Sequence, residues 1–204
     1  MTIPVSQRLE VLTQQIIRSR VFYDLWWFTA GAESRPKIVD ALNELPVYFR
    51  FNEHAHFVAM IIHSANVFDT TRSTISLPRL ARDVLDPSRY EAHQEIAAEV
   101  ERLRDTARGI LKIRNNAIAH RSELDGYSEV FKQAGVIPGE LPTMMASWLD
   151  LVNELRQIHG MECDKVTGEP DFNNLPLRDL QRLIHKLGGP DLRPKSSLAD
   201  IFKP

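Results

Sequence analysis

The chain has 204 residues with a formal net charge of −2, and 43% of its side chains are hydrophobic. That length and composition suffice for one domain with a buried core, and they exclude a uniformly basic coat for nucleic acid. Cys163, the single cysteine, excludes an intramolecular disulfide and a cysteine-based zinc site, so a reducing cytoplasm is the simplest location. We expect neither secretion nor membrane insertion, because no leader-like or membrane-spanning apolar run is present.

Apolar side chains recur every three to four residues and predict an all-α fold. Long helices are predicted at Val5 to Ala30, Val47 to Arg72, Asp86-Pro87-Ser88 through Arg114, and Leu141 to His159. Short helices are predicted at Lys37 to Leu45, Ser128 to Ala134 and Leu177 to Leu187. This order predicts an up-and-down four-helix bundle with additional short helices and a C-terminal helical appendage. We assign 1–159 to the bundle and 160–204 to a linker, a short helix and a flexible tail that packs on the bundle or extends from it.

The segment from Ile113 to Arg121 is the most informative part of the chain. Arg114 and Asn115 continue the apolar stripe of the third long helix, and His120 follows within two turns. The arginine carries a permanent charge on a planar fork suited to phosphate, and the histidine exchanges a proton near neutral pH. Between Glu101 and Arg121 six positive residues stand against two negative ones, so a local basic excess coincides with this segment.

The pattern Arg114-Asn115, four residues, then His120 resembles the signature of the HEPN superfamily of all-α domains. The string IRNNAIAHRS, late in a long third helix, resembles the abortive-infection-associated branch, and the helix layout extends the resemblance over roughly residues 3 to 158. It implies a metal-independent endoribonuclease of toxin or phage-defence type that leaves a 2′,3′-cyclic phosphate. His120 would be the general base or acid, Arg114 the phosphate clamp, and Asn115 a residue that orients one of them.

The helix geometry of this motif raises a difficulty. In a straight α-helix, His120 lies about 120° around the axis from Arg114 and about 9 Å along it. Either the helix distorts near Asn115-Asn116, or the site is assembled from two chains. HEPN toxins characteristically do the latter, so the resemblance implies a homodimer with paired motifs. RNA is the expected substrate, an antitoxin or regulatory protein is a further partner to consider, and no membrane partner is expected.

Other polar residues are candidates for substrate binding. Arg121 lies seven residues after Arg114, close to the same helical face, and Asn116 adjoins the motif. His56 and His63 belong to a polar stripe on the second long helix that either lines the same cleft or faces solvent. These two histidines lie about 10 Å apart along a helix, too far to chelate one ion, so we expect no metal and no other cofactor.

Two alternatives to the nuclease remain open at this stage. The chain is also consistent with a non-catalytic HEPN-like module that binds a nucleotide, RNA or a protein. It is consistent as well with a purely structural helical protein, in which Arg114 and His120 merely end a helix face. Cleavage of RNA separates the nuclease from both.

Overall fold

The computed structural model describes residues 3–71, 74–85, 93–119, 126–164 and 174–192. Within those ranges the regular structure is helical and no strand occurs, which confirms the all-α prediction. The α-helices are α1 Val5–Ala30, α2 Arg35–Asn43, α3 Pro46–Val67, α4 Leu77–Val84, α5 Gln94–Ile113, α6 Tyr127–Ala134, α7 Leu141–Ile158 and α8 Leu175–Lys186. None of these described helices is long and apolar enough to cross a membrane.

Local sequence signals explain where several helices begin and end. Pro36, Pro78 and Pro142 lie in the first turns of α2, α4 and α7, where the missing amide hydrogen is not needed. Asn174 caps α8, since its side-chain oxygen accepts a hydrogen bond from the Leu177 amide at 3.0 Å. Gly135 ends α6 in the left-handed conformation at φ 69°, which a glycine reaches without strain.

The helices form two compact units, of which the first comprises 1–23 and 55–173. Its buried side chains recur every three or four positions, as packed helices require. They include Leu9, Leu12 and Ile16 on α1, Phe57, Met60 and Ile61 on α3, Val100, Leu103, Ala107 and Ile110 on α5, and Met145, Trp148, Leu149, Val152 and Leu155 on α7. Helix α5 packs against α4, α6 and α7, so it lies at the centre of this unit.

A buried arginine joins two of these helices to the segment after α7. The Nη1 atom of Arg156 donates to the Thr13 hydroxyl of α1 at 3.1 Å and lies 2.5 Å from Oδ2 of Asp164. Its Nε donates to the Glu162 carbonyl oxygen at 2.7 Å. Each contact compensates part of the cost of removing a charged group from water. The Arg156 side chain therefore fixes 162–164 against the end of α7.

The second unit comprises 24–54 and 174–204. Helix α8 packs against α2, with Ile38 and Ile184 almost completely buried. An ion pair of 2.6 Å joins Nη1 of Arg35 to Oε2 of Glu53, and that same nitrogen donates to the Thr29 carbonyl oxygen at 3.0 Å. Residues distant in sequence are therefore joined within this unit by both packing and charge.

Most observed helix ends lie within about two residues of the predicted ones, and both α2 and α8 begin two residues earlier than predicted. Helix α1 spans Val5–Ala30 as predicted, whereas α3 ends at Val67 rather than continuing to Arg72. The cause is the carboxylate of Asp69, whose Oδ1 accepts hydrogen bonds from the Thr71 amide and hydroxyl and so competes with helical hydrogen bonding. The predicted helix start at 86–88 and the predicted tail from 193 onward lie outside the described residues.

Candidate functional site around Arg114

Helix α5 gives way to a π-helical segment, Arg114–Ala119, at the position of the motif. The Arg114 amide still donates to the carbonyl oxygens of Ile110 and Leu111, four and three residues back, so the last α-helical bond of α5 is kept at this position. π-Helical turns are rare and occur frequently at functional sites. The helix is therefore distorted near Asn115 and Asn116, which was one of the two alternatives considered above, and the straight-helix angles do not apply.

The Arg114 guanidinium is held from two sides. Its Nη1 atom forms an ion pair of 2.7 Å with Oδ2 of Asp69, and its Nε donates to Oδ1 of Asn115 at 3.1 Å. The Arg114 side chain remains 27% exposed, whereas that of Asp69 is only 15% exposed. Among the described residues, Nη2 of Arg114 makes no recorded hydrogen bond. The guanidinium is thus held through two of its three nitrogens, and Nη2 is the one without a hydrogen bond to any described residue.

Asp69 is itself held in a defined orientation. Its Oδ1 accepts from the Thr71 amide at 2.8 Å and from the Thr71 hydroxyl at 2.6 Å, which leaves Oδ2 for Arg114. Partial burial acts to raise the pKa of Asp69, but hydrogen bonds from Thr71 and Arg114 outweigh it and hold the pKa below its ordinary value. The carboxylate is therefore anionic at neutral pH.

The remaining motif residues differ in what the structure says of them. Asn115 and Asn116 are exposed, and Asn115 contacts the guanidinium of Arg114. His120 and Arg121 lie outside the described residues. The structure thus joins Arg114 to Asn115, and the proposed roles of His120 and Arg121 stay predictions.

His56 and His63 face α1. Nδ1 of His63 lies 2.9 Å from Oε1 of Gln15, and the His63 ring stacks on Phe22 at 5.6 Å between centroids. The His56 ring lies 6.1 Å from that same Phe22 ring. Burial lowers the pKa of both histidines, and the positive charge of Arg18 lowers the pKa of His63 further. Within the described chain, no recorded hydrogen bond or ring contact links either histidine to Arg114.

A groove of about 580 Å³ lies between α4 and α5. Apolar residues form much of its lining, and its charged lining residues are Arg82, Glu101 and Arg104. Thr70 also lines the groove and directly follows Asp69 in sequence. A concave, mostly apolar space with a few polar groups is typical of a ligand-binding site.

The basic excess on α5 is largely neutralised by neighbouring carboxylates. Ion pairs three residues apart join Arg102 to Glu99, Arg104 to Glu101 and Arg108 to Asp105. These pairs are exposed, so each contributes little to stability. Arg114 differs from them because its carboxylate partner lies 45 residues away in sequence and is mostly buried.

Potential metal ligands are scattered rather than clustered in the described ranges. No cluster of three or more histidine, cysteine, aspartate and glutamate side chains there is placed to hold a metal ion. Asp69, the carboxylate that pairs with Arg114, is engaged by Thr71 and Arg114. Its oxygens serve hydrogen bonding in this arrangement.

Sequence reasoning did not identify Asp69. An aspartate followed two residues later by threonine at the end of a predicted helix is a signal for a local turn, and Asp69-Thr70-Thr71 carries it. That signal marks where α3 ends. It does not reveal which positively charged side chain pairs with the carboxylate, because helical periodicity contains no information on contacts between distant segments.

Comparison with known proteins gives one family match. The family model HEPN_AbiU2, described as AbiU2, matches residues 4–174. The match covers well over half of the chain and includes Asp69 and the whole Arg114 motif. No curated protein and no solved structure shows a significant match to the chain.

Proposed function

The chain belongs to the HEPN_AbiU2 family, a HEPN-type abortive-infection-associated family, and on this premise we propose that it is a metal-independent endoribonuclease. The family match confirms the resemblance found in the sequence. The proposed setting is a toxin or phage-defence system, in which a bacterial cell's RNA is the substrate. Arg114, Asn115 and His120 carry the reaction in this proposal.

The proposed chemistry uses a nucleophile that RNA itself supplies. A base removes the proton of a ribose 2′-hydroxyl, and its oxygen attacks the adjacent phosphorus. The bond from phosphorus to the 5′-oxygen of the next nucleotide breaks, and that oxygen takes up a proton. The products are a 2′,3′-cyclic phosphate and a 5′-hydroxyl. His120 acts as the base or the acid, and Arg114 stabilises the negative charge that develops on the phosphoryl oxygens.

The observation that carries this proposal is the arrangement of the Arg114 guanidinium. It is fixed through Nη1 and Nε, partly exposed, and located in a π-helical segment. A fixed cation stabilises a transition state better than a mobile one, because no reorientation accompanies the reaction. The groove between α4 and α5 offers space for a ligand near Thr70, although Glu101 in its lining pairs with Arg104 and leaves Arg82 as its other arginine.

The proposed partners are RNA and a second copy of the chain. A dimer places two motifs at one interface, which supplies a second way to bring an arginine and a histidine onto one phosphate. An antitoxin or regulatory protein that controls the nuclease is also part of this proposal.

Cleavage of RNA in the presence of a metal chelator tests the proposal. We expect wild-type protein to cut a single-stranded RNA and to leave 2′,3′-cyclic phosphate ends, detected by mass spectrometry. An RNA with 2′-deoxyribose at the cleavage position should remain intact there. Arg114→Ala and His120→Ala should each lower the cleavage rate by at least about 100-fold.

Matched controls use residues of the same types away from the motif. Arg108→Ala removes an exposed arginine of α5, and His54→Ala removes an exposed histidine of α3. Both controls should cleave RNA at the wild-type rate. Equal cleavage by wild type, Arg114→Ala and His120→Ala would contradict the assigned site, and stable binding of uncut RNA by wild type would support the non-catalytic alternative.

A further inference from the structure

The segment that follows α3 is anchored to its surroundings on both sides of Asp69. Phe68 is 1% exposed and packs edge-on against the fully buried Trp148 of α7, with ring centroids 5.3 Å apart. On the other side, the Thr71 carbonyl oxygen accepts from Nη1 of Arg79 at 3.3 Å and from the Thr74 hydroxyl at 2.6 Å. The backbone that carries Asp69 is therefore supported by the core of the unit and by the start of α4.

From this geometry we infer that Asp69 is a positioning residue of the proposed nuclease, one that holds Arg114 ready for the scissile phosphate. The inference rests on the proposed function. Oδ2 of Asp69 accepts a hydrogen bond from Nη1 of Arg114, while Oδ1 of Asn115 accepts one from Nε. The plane of the guanidinium is then determined by two contacts, and Nη2, which has no hydrogen bond to a described residue, is the nitrogen that we assign to a phosphate oxygen.

Asp69 should raise the cleavage rate rather than lower it, because its carboxylate is itself held firmly. A carboxylate that merely competed with phosphate for Arg114 would need to be mobile, so that it could move aside when RNA binds. Instead, two hydrogen bonds from Thr71 fix Oδ1, and the side chain is only 15% exposed. A misplacement of about 1 Å in a catalytic group can lower a rate by about 100-fold, so a held guanidinium favours turnover.

Asp69 does not serve as the proton-transfer group in this scheme. Burial acts to raise its pKa, but the hydrogen bonds from Thr71 and Arg114 prevail and keep the pKa low. The carboxylate is consequently ionised throughout the neutral range. Its replacement should change the height of the pH–rate profile while the apparent pKa values of that profile stay the same.

Asp69→Asn is the most direct test. The asparagine oxygen still accepts from Thr71, whereas its amide nitrogen is a donor and cannot accept from Arg114. We expect kcat for RNA cleavage to fall by about 100-fold, with a much smaller change in KM and unchanged apparent pKa values. Thr71→Val, which removes one of the two donors to Oδ1, should lower kcat in the same direction by a smaller factor.

Asp83→Asn is the matched control, because Asp83 also pairs with an arginine, Arg8, on the surface of the same unit. This control should cleave RNA as wild type does. Circular dichroism of each variant verifies that the fold is retained. The Nε–H signal of Arg114 in nitrogen-15 NMR reports the fixed guanidinium independently of activity, and it should exchange faster with solvent in Asp69→Asn.

The outcomes separate this inference from the proposed function. An inactive Arg114→Ala together with a fully active, folded Asp69→Asn would overturn the positioning role and leave the nuclease proposal standing. Tighter RNA binding with faster cleavage by Asp69→Asn would also overturn it, since Asp69 would then act as a competitor of phosphate. A fully active Arg114→Ala would instead reject the proposed function itself.

Discussion

Two histidines on α3 contact the same phenylalanine ring and are poorly placed to carry charge. His63 lies flat against Phe22, and His56 lies on the same ring at a tilt. Nδ1 of His56 is buried and has no hydrogen-bond partner in the described part of the chain. Burial favours the neutral form of both imidazoles, and Arg18 adds a positive charge near His63. Protonation of either ring therefore works against the folded state.

We expect this pair to make stability depend on pH in the mildly acidic range. The folded pKa of His63 lies below the unfolded value of 6.5, so the unfolded chain binds more protons between the two values. The free energy of unfolding should be greatest above pH 6.5 and should fall as the pH drops from 6.5 toward the lower folded pKa of His63. Denaturant unfolding between pH 8 and pH 5, chosen to span about 1.5 units either side of the ordinary value, measures this.

His63→Gln removes the titrating group of this prediction but leaves a side chain able to hydrogen-bond with Gln15. The variant should lose less stability than wild type as the pH falls. His54→Gln, at an exposed position of the same helix, should keep the wild-type dependence on pH. Identical pH dependence for wild type and His63→Gln would show that protonation of His63 does not destabilise the folded protein.

At the scale of the elements, α5 and the end of α6 approach closely at a glycine. A Cβ atom at Gly109 would lie 2.3 Å from Cγ2 of Val136 and 2.9 Å from the Ala134 carbonyl oxygen. Lys112, one turn further along α5, donates from Nζ to the Gln133 carbonyl oxygen at 2.6 Å. The helix that leads into the motif is thus held against α6 at its last turns.

Gly109→Ala should therefore destabilise the protein although alanine favours helix. The steric cost of overpacking is about 1–3 kcal/mol and is offset by roughly 1 kcal/mol of helix propensity, so a net loss of up to about 2 kcal/mol is expected. Gly139→Ala is the control, because no atom lies within 4 Å of a Cβ built there. Chemical denaturation measures both variants, and equal stabilities would mean that the contact at Gly109 relaxes at no cost.

The sequence predicted the elements better than the contacts between them. The repeating apolar positions predicted the bounds of α1, Val5–Ala30, because no helix-breaking residue interrupts the pattern between them. The end of α3 was placed too late, since the apolar stripe does not register the side-chain hydrogen bonds of Asp69. The Arg114 motif was recognised from its spacing, whereas its partner Asp69 was missed because their contact spans 45 residues.

At the scale of the whole molecule, mixing two inactive variants tests whether each site draws on two chains. Arg114→Ala and His120→Ala chains are unfolded together and refolded, or coexpressed, so that mixed dimers form. Random pairing of the two variants makes half of the dimers mixed. If Arg114 of one chain works with His120 of the other, each mixed dimer has one intact site out of two. Cleavage should then recover to about a quarter of the wild-type level in a C2 dimer.

The same mixture gives a different result when each site lies within one chain. Every chain then lacks either its arginine or its histidine, and no combination restores activity. Light scattering of the mixture gives the mass of the assembly. Absence of recovery from a preparation with the mass of a dimer would contradict the shared site and favour a site completed within the distorted helix.

The π-helical segment Arg114–Ala119 also bears on how chains of slightly different length are compared. A turn closed by hydrogen bonds five residues apart takes up one residue more than an α-turn, which shifts the phase of everything downstream by about 100°. A relative with one residue fewer here and an unbroken helix would present its later side chains at nearly the same angle. An insertion or deletion between the arginine and the histidine can thus be geometrically silent, and alignment by equal spacing would misjudge it.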